Sequence, residues 1–145
     1  MDVVEDLLTQ LQSTLDDDVT DTRLLSCRLL RQLFTRVGRD IDRDRLHEFY
    51  PCLLKSLDDC SDDVRLAASH TFSAYMHCFH GDYDAVMYRA HIEAIYHGLL
   101  LHLDDQHSDI QLSVLGTASF SFFLWTLTVK RRYNVLLGSK KICTL

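Results

Sequence analysis

Leu57-Asp58-Asp59-Cys60-Ser61-Asp62-Asp63-Val64-Arg65-Leu66 is the middle copy of a stretch that occurs three times. It is preceded, 42 residues earlier, by Leu15-Asp16-Asp17-Asp18-Val19-Thr20-Asp21-Thr22-Arg23-Leu24, and followed, 46 residues later, by Leu103-Asp104-Asp105-Gln106-His107-Ser108-Asp109-Ile110-Gln111-Leu112. Each copy reads as the turn between two antiparallel helices. A period of about 40–47 residues suits tandem helix pairs, each too small to bury its own apolar face and so stacked on the next. The fold class expected is all-α, a right-handed α-solenoid of three helical hairpins.

The turn has a physical logic. Its sixth residue, Thr20, Asp62 or Ser108, is a good N-cap former that can accept a bond from an orphan amide. Asp21, Asp63 and Asp109 come next, in the first helical turn, where the helix dipole favours a carboxylate. An apolar stripe then begins. In the second copy it is Val64, Ala67, Ala68, Thr71, Phe72, Tyr75, Met76 and Phe79; in the first, Thr22, Leu25, Ser26, Leu29, Leu30, Leu33, Phe34 and Val37. Both follow the i, i+3, i+4, i+7 rule of an amphipathic helix. Before the turn, Leu46, Phe49, Tyr50, Leu53, Leu54 and Leu57 match Ile92, Ile95, Tyr96, Leu99, Leu100 and Leu103. Val4, Leu7, Leu8, Leu11 and Leu15 repeat that pattern, with Gln12 as the polar exception.

Helices are therefore predicted over 3–15, 20–37, 46–57, 63–79 and 84–103, with a sixth from Asp109. The fifth is predicted long enough to absorb the four extra residues of the second period. Gly38 suits a helix C′ position, residues 39–45 read as a charged connector, and Pro51 should bend the third helix. In the sixth helix the stripe weakens to Ile110, Ser113, Val114, Thr117, Ala118, Ser121, Phe122 and Trp125. The array is expected over residues 1–127, with repeats at 3–37, 46–79 and 84–125, and a basic, poorly structured tail over 128–145.

Composition narrows the function. Through Asp109 there are ten Lys and Arg against 21 Asp and Glu; from Ile110 onward there are five bases and no acid. An acidic body is a poor partner for nucleic acid, which needs a basic surface. Five cysteines without a CxxC pair, and acids rather than bases at the N-terminus, point to reduced thiols and a cytoplasmic setting. His77, Cys78 and His80 are the densest group of metal-ligating types, yet no second cluster has ligand spacing, so neither a metal nor another cofactor is expected. No phosphate loop or zincin motif is present, and Cys60 has no activating base near it in sequence. Catalytic residues are not expected. The runs Asp16-Asp17-Asp18 and Asp58-Asp59 lack the length and glycine of a calcium loop.

Leu57-Asp58-Asp59 followed by Asp63-Val64-Arg65-Leu66-Ala67-Ala68 resembles the HEAT-repeat signature. The resemblance implies a polar ladder of aspartate and arginine between neighbouring repeats. Asp17 with Arg23 and Asp59 with Arg65 fit it; Asp105 faces Gln111, so the third rung is expected to be impaired. More narrowly, residues 46–115 resemble the C-terminal repeats of the HEAT-repeat family of dynein axonemal assembly factors. Arg45-Leu46, Tyr50-Pro51, Leu53-Leu54-Lys55-Ser56-Leu57-Asp58-Asp59, Tyr96, Leu99-Leu100 and His102-Leu103-Asp104-Asp105 carry the likeness. Members of that family are much longer, so the chain is expected to be a fragment.

That likeness implies a non-enzymatic scaffold in cytoplasmic preassembly of dynein arms. Its expected partners are axonemal dynein intermediate or heavy chains and chaperones. The surface expected to bind them is the outward side of the second helices, at Arg28, Arg31, Arg36, His70 and His77. The competing reading is a membrane-tethered adaptor. Residues 110–129 are 20 uncharged positions followed by three bases, which meets the length condition for an anchor. Its hydroxyl side chains and capped start speak against that reading.

Overall fold

The computed structural model describes residues 2–79, 83–84 and 86–140, with side chains described as far as Thr126. The described residues form seven helices: α1 (Asp2–Thr14), α2 (Thr20–Val37), α3 (Arg43–His47), α4 (Tyr50–Ser56), α5 (Asp62–Met76), α6 (Arg89–Leu100) and α7 (Ser108–Lys140). They pair as α1 with α2, α3/α4 with α5, and α6 with α7. The second helices stack in a row, α2 on α5 and α5 on α7, while α4 packs on α6 in the row of first helices. This is an α-solenoid. Leu15 and Leu57 occupy the same buried corner of successive turns, and Leu103 holds the corresponding half-buried corner of the third.

The turns are built by aspartate rather than by the expected caps. The Asp17, Asp59 and Asp105 carboxylates accept the amides of Val19 (2.8 Å), Ser61 (2.9 Å) and His107 (2.9 Å). Each bond spans two residues, the Asx-turn geometry that short carboxylates favour. Thr20, Asp62 and Ser108 are instead the first helical residues, and the residues ahead of α2 and α5, Val19 and Ser61, make no side-chain cap.

The ladder runs one step out of the expected register. Arg23 grips Asp59 of the next repeat with two bonds (2.6 and 3.0 Å) and its own turn through the Asp17 carbonyl (2.9 Å). Arg65 does the same with Asp105 (2.8 Å) and the Asp59 carbonyl (3.0 Å). The arginine thus pairs with the following repeat's aspartate, not its own. Asp105 is not on an impaired rung. Gln111 keeps the local half of the arginine's work by donating to the Asp105 carbonyl (2.7 Å). Asp63 and Asp109 stay exposed in the first turns of α5 and α7. The neighbouring Asp62 instead pairs with Arg65 (2.7 Å) and His107 (2.7 Å).

Three local expectations differ. Pro51 does more than bend a helix: α3 ends at His47, and α4 restarts at Tyr50 with the proline in its first turn. A proline in the first turn of a helix needs no amide, because the first helical amides have no partner within the helix. Part of the charged connector is helical, because Asp42 caps α3 by accepting from Asp44 (3.0 Å) and Arg45 (3.4 Å). The fifth helix is shorter than predicted. Asp84 accepts the amides of Val86 and Met87 (both 3.1 Å) in a separate turn, and α6 starts only at Arg89. The extra residues of that period therefore lie in the connector. Of the segment expected to close α5, His80, Gly81 and Asp82 lie outside the described residues.

The core follows the stripe, with a rotation at one end. Val64, Ala68, Thr71, Phe72, Tyr75 and Met76 are buried on α5, flanked on one side by α2 and on the other by α7. On α2, Ser26, Cys27, Leu30 and Phe34 are buried, but Leu25 and Leu29 are 55% and 42% exposed. Their counterparts on α5, Ala67 and Thr71, face α2, and Thr71 lies 2.8 Å from the Cys27 carbonyl. In the first repeat no described element stands on that side. Gln12 is explained by α3: its side chain accepts from Arg45 (2.9 Å), which also reaches Thr9 (3.0 Å) and Glu5 (3.3 Å). A polar residue there clamps the first two repeats together.

Gly38 ends α2 in a right-handed conformation (φ −59°) rather than the left-handed one expected at C′. Its missing side chain serves a close approach: a Cβ there would collide with Cys78 at the end of α5.

The sixth helix keeps the expected register, with small side chains, only as far as Ser121; beyond it Leu124, off the expected stripe, is buried, and Phe122, on it, is not. Ile110, Val114, Thr117, Ala118, Ser121 and Leu124 are buried, while Phe122 and Phe123 are exposed. The hydroxyls of Thr117 and Ser121 donate to carbonyls of their own helix (both 2.8 Å), so their burial costs little. The α7 backbone continues to Lys140, past the point where the basic tail was expected to begin.

Candidate protein-binding face

Of ten basic residues up to Asp109, five are tied into ion pairs. Arg23 holds Asp59, Arg45 holds Glu5, Lys55 holds Asp16, Arg65 holds Asp105 and Arg89 holds Glu93. Arg43 donates to the Cys78 carbonyl (3.1 Å) and sits at the α5 end. Arg28, Arg31, Arg36 and Arg39 remain exposed, without an ion pair among the described residues. All four lie on α2 or the turn that follows it. In a segment with 21 acids this separation is informative, because any of these guanidiniums could have been neutralised at little cost.

Helical spacing organises them. Arg28, Arg31, Thr35 and Arg39 fall at i, i+3, i+7 and i+11, one strip of the helix surface. Arg36 lies off that strip. On α5, His70, Ser73, Ala74 and His77 fall at i, i+3, i+4 and i+7. Because α2 stacks on α5, the two strips face each other across an open groove of about 400 Å³. Arg31 and Arg39 form one wall, His70 and His77 stand on the other, and Phe34 is its apolar floor. Three of the five residues expected at the binding surface, Arg31, His70 and His77, are thereby brought together. Arg28 lies one turn further along the same strip, and Arg36 does not line the groove. Arg39 was missed because it falls in the connector; its spacing of eight from Arg31 is the signal that could have found it.

The histidines differ. His70 is half-buried, and burial, reinforced by the positive charge of Arg31 and opposed by Asp109, holds its pKa below the ordinary value. It offers a hydrogen bond more readily than a charge. His77 is exposed and stacks on Phe120 of α7 at 5.0 Å. Its Nδ1 lies 2.7 Å from the Ser73 carbonyl, which can only accept. The Nδ1 therefore carries the proton, and Nε2 is the ring's other polar atom.

Of the group His77, Cys78 and His80, the last lies outside the described residues, and the first two do not converge: His77 stacks on Phe120 while Cys78 packs under Gly38. Cys78 is buried against Gly38 and the Phe34 carbonyl (3.6 Å), and burial pushes its thiol up to about 12. Cys27 is likewise pushed to about 12, and Cys52 to about 11, by burial. These cysteines are packing residues. Among the described residues, no three ligating side chains converge. Among the described residues, too, no helix is long and apolar enough to cross a membrane. The first part of the 110–129 segment lends one face to the solenoid core, through Ile110, Val114, Thr117, Ala118, Ser121 and Leu124.

A stack of helical hairpins linked by an Asp–Arg ladder defines the class: a HEAT-type α-solenoid. Residues 49–79, which span the second repeat, match the family model for the HEAT repeat. The particular likeness is to dynein axonemal assembly factor 5. The chain is 39% identical to that protein of Xenopus laevis and 40% identical to that of Homo sapiens, in each case over 79% of its own length. The protein of Mus musculus is 38% identical over 77% of the chain. The aligned part spans only 13–14% of those relatives. No solved structure matches the chain.

Proposed function

We propose that this chain is a non-enzymatic scaffold in the cytoplasmic preassembly of axonemal dynein arms, and that the outward face of α2 and α5 holds its partner. The observation that carries the reading is the set of arginines without an ion pair among the described residues, gathered on α2 and the turn after it in an otherwise acidic segment. The likeness to the assembly factors supplies the pathway. The partners it implies are axonemal dynein intermediate or heavy chains, in company with chaperones. A surface that recognises a protein needs an array of side chains held by a rigid backbone, and stacked helices supply that without chemistry.

The test is co-precipitation from ciliated-cell cytosol, with dynein intermediate and heavy chains detected by immunoblot. The intact chain should retain at least one of them. The triple variant Arg28→Ser, Arg31→Ser, Arg36→Ser should retain several-fold less at unchanged helix content by circular dichroism. Equal retention by chain and variant would reject this face as the site.

A further inference from the structure

We propose that the α2–α5 groove takes an extended, acidic segment of a partner protein, its carboxylates paired with Arg31 and Arg39. This deepens the reading of that face as a binding surface and rests on it. Three features point to the occupant. The first is charge: the guanidiniums of Arg31 and Arg39 line the groove, no carboxylate lines it, and neither arginine has an ion pair among the described residues. Guanidinium binds carboxylate as a two-pronged fork, which fixes orientation as well as adding attraction.

The second is length. Arg31 to Arg39 is eight residues, a rise of about 12 Å along a helix. An extended chain advances about 3.3 Å per residue, so three or four residues span it. Acids four apart in the segment would reach both arginines. The third is the make-up of the walls. Phe34 offers an apolar floor, and His70, whose pKa burial lowers, offers a hydrogen bond more readily than a further charge. That combination suits a peptide, which can match two guanidiniums with two carboxylates and lay apolar atoms on Phe34, better than a polyphosphate backbone, whose charge at every unit would find only two cations in an acidic body.

The experiment is fluorescence anisotropy on the full chain with a labelled nonapeptide in which glutamate alternates with serine. Binding should be saturable and should weaken with added salt, since both groups are exposed to screening. The same peptide with glutamine for glutamate should bind at least tenfold more weakly, an arm that asks nothing of the protein's folding. Arg31→Ser with Arg39→Ser should cost at least tenfold, Arg31→Lys with Arg39→Lys should restore part of it, and Arg89→Ser on the opposite row should change nothing. Equal binding of the two peptides, indifference to the paired serine variant, or tighter binding of oligouridylate would overturn the proposal. If dynein-subunit capture depends on the arginines but the glutamate peptide fails, the acidic occupant falls and the binding face stands. If the peptide binds as expected but capture ignores the arginines, the groove stands and the assembly reading falls.

Discussion

At the scale of single residues, one aspartate per turn does two jobs that can be separated. Asp59 accepts the Ser61 amide and the Arg23 guanidinium; Asp17 accepts only the Val19 amide among the described residues. Asparagine retains the amide bond and loses the ion pair. Asp17→Asn should therefore be close to neutral, whereas Asp59→Asn should cost about 1–2 kcal/mol in urea unfolding. The Arg23 bond chiefly holds the Asp59 carboxyl below the usual range. At Asp105 burial works the other way, but the bonds from Arg65 and the His107 amide prevail. A carboxyl with a lowered folded pKa contributes stability above its ordinary value of 3.8, which is lost as pH falls through the folded one. The stability gap between the natural chain and Asp59→Asn should thus shrink below about pH 4.

At the scale of the element, packing in α7 is set by shape rather than by greasiness. Ala118 is 3% exposed against its neighbours, while Phe122, much the larger side chain, is 44% exposed. Ala118→Leu should cost about 1–3 kcal/mol by overpacking, and Phe122→Ala less than about 1 kcal/mol, read as shifts in the urea midpoint. The same logic applies where α2 meets α5. Gly38→Ala drives a methyl into Cys78, and should cost about 1–3 kcal/mol although the backbone conformation is open to any residue.

At the scale of the whole molecule, the repeats are joined by two kinds of seam. One is the turn ladder. The other is aromatic: between the second and third repeats, His47 stacks on His91 at 4.2 Å and on Phe79 at 5.3 Å, with the Tyr83 hydroxyl 3.1 Å from its Nε2. Burial, aided by the charge of His91, pushes His47 down to about 4 from 6.5. The unfolded chain then binds this proton more readily than the folded one. Stability from this group is complete above about pH 7 and falls as pH drops through 6.5 toward 4. Thermal melts of the natural chain should lose more between pH 7 and pH 4.5 than melts of His47→Gln. The open side of the first repeat gives another whole-molecule prediction. Leu25→Ser with Leu29→Ser should cost less than about 1 kcal/mol, whereas Leu30→Ala, fully buried, should cost about 2–5 kcal/mol.

By itself, the sequence determined the helical hairpins, their number, their turns and the register of most of the core. Those depend on local periodicity and on an aspartate two residues from the amide it binds, and both are written along the chain. It also exposed Arg31, His70 and His77 as surface residues of the second helices. Only the tertiary structure decided the rest: that each ladder arginine reaches forward to the next repeat, that Leu25 and Leu29 lie outside the core, and that Arg39 joins Arg31 opposite the two histidines. Such pairings form between residues about 36 to 46 positions apart. They follow from how one hairpin sits on another, which side-chain spacing within a single helix does not encode.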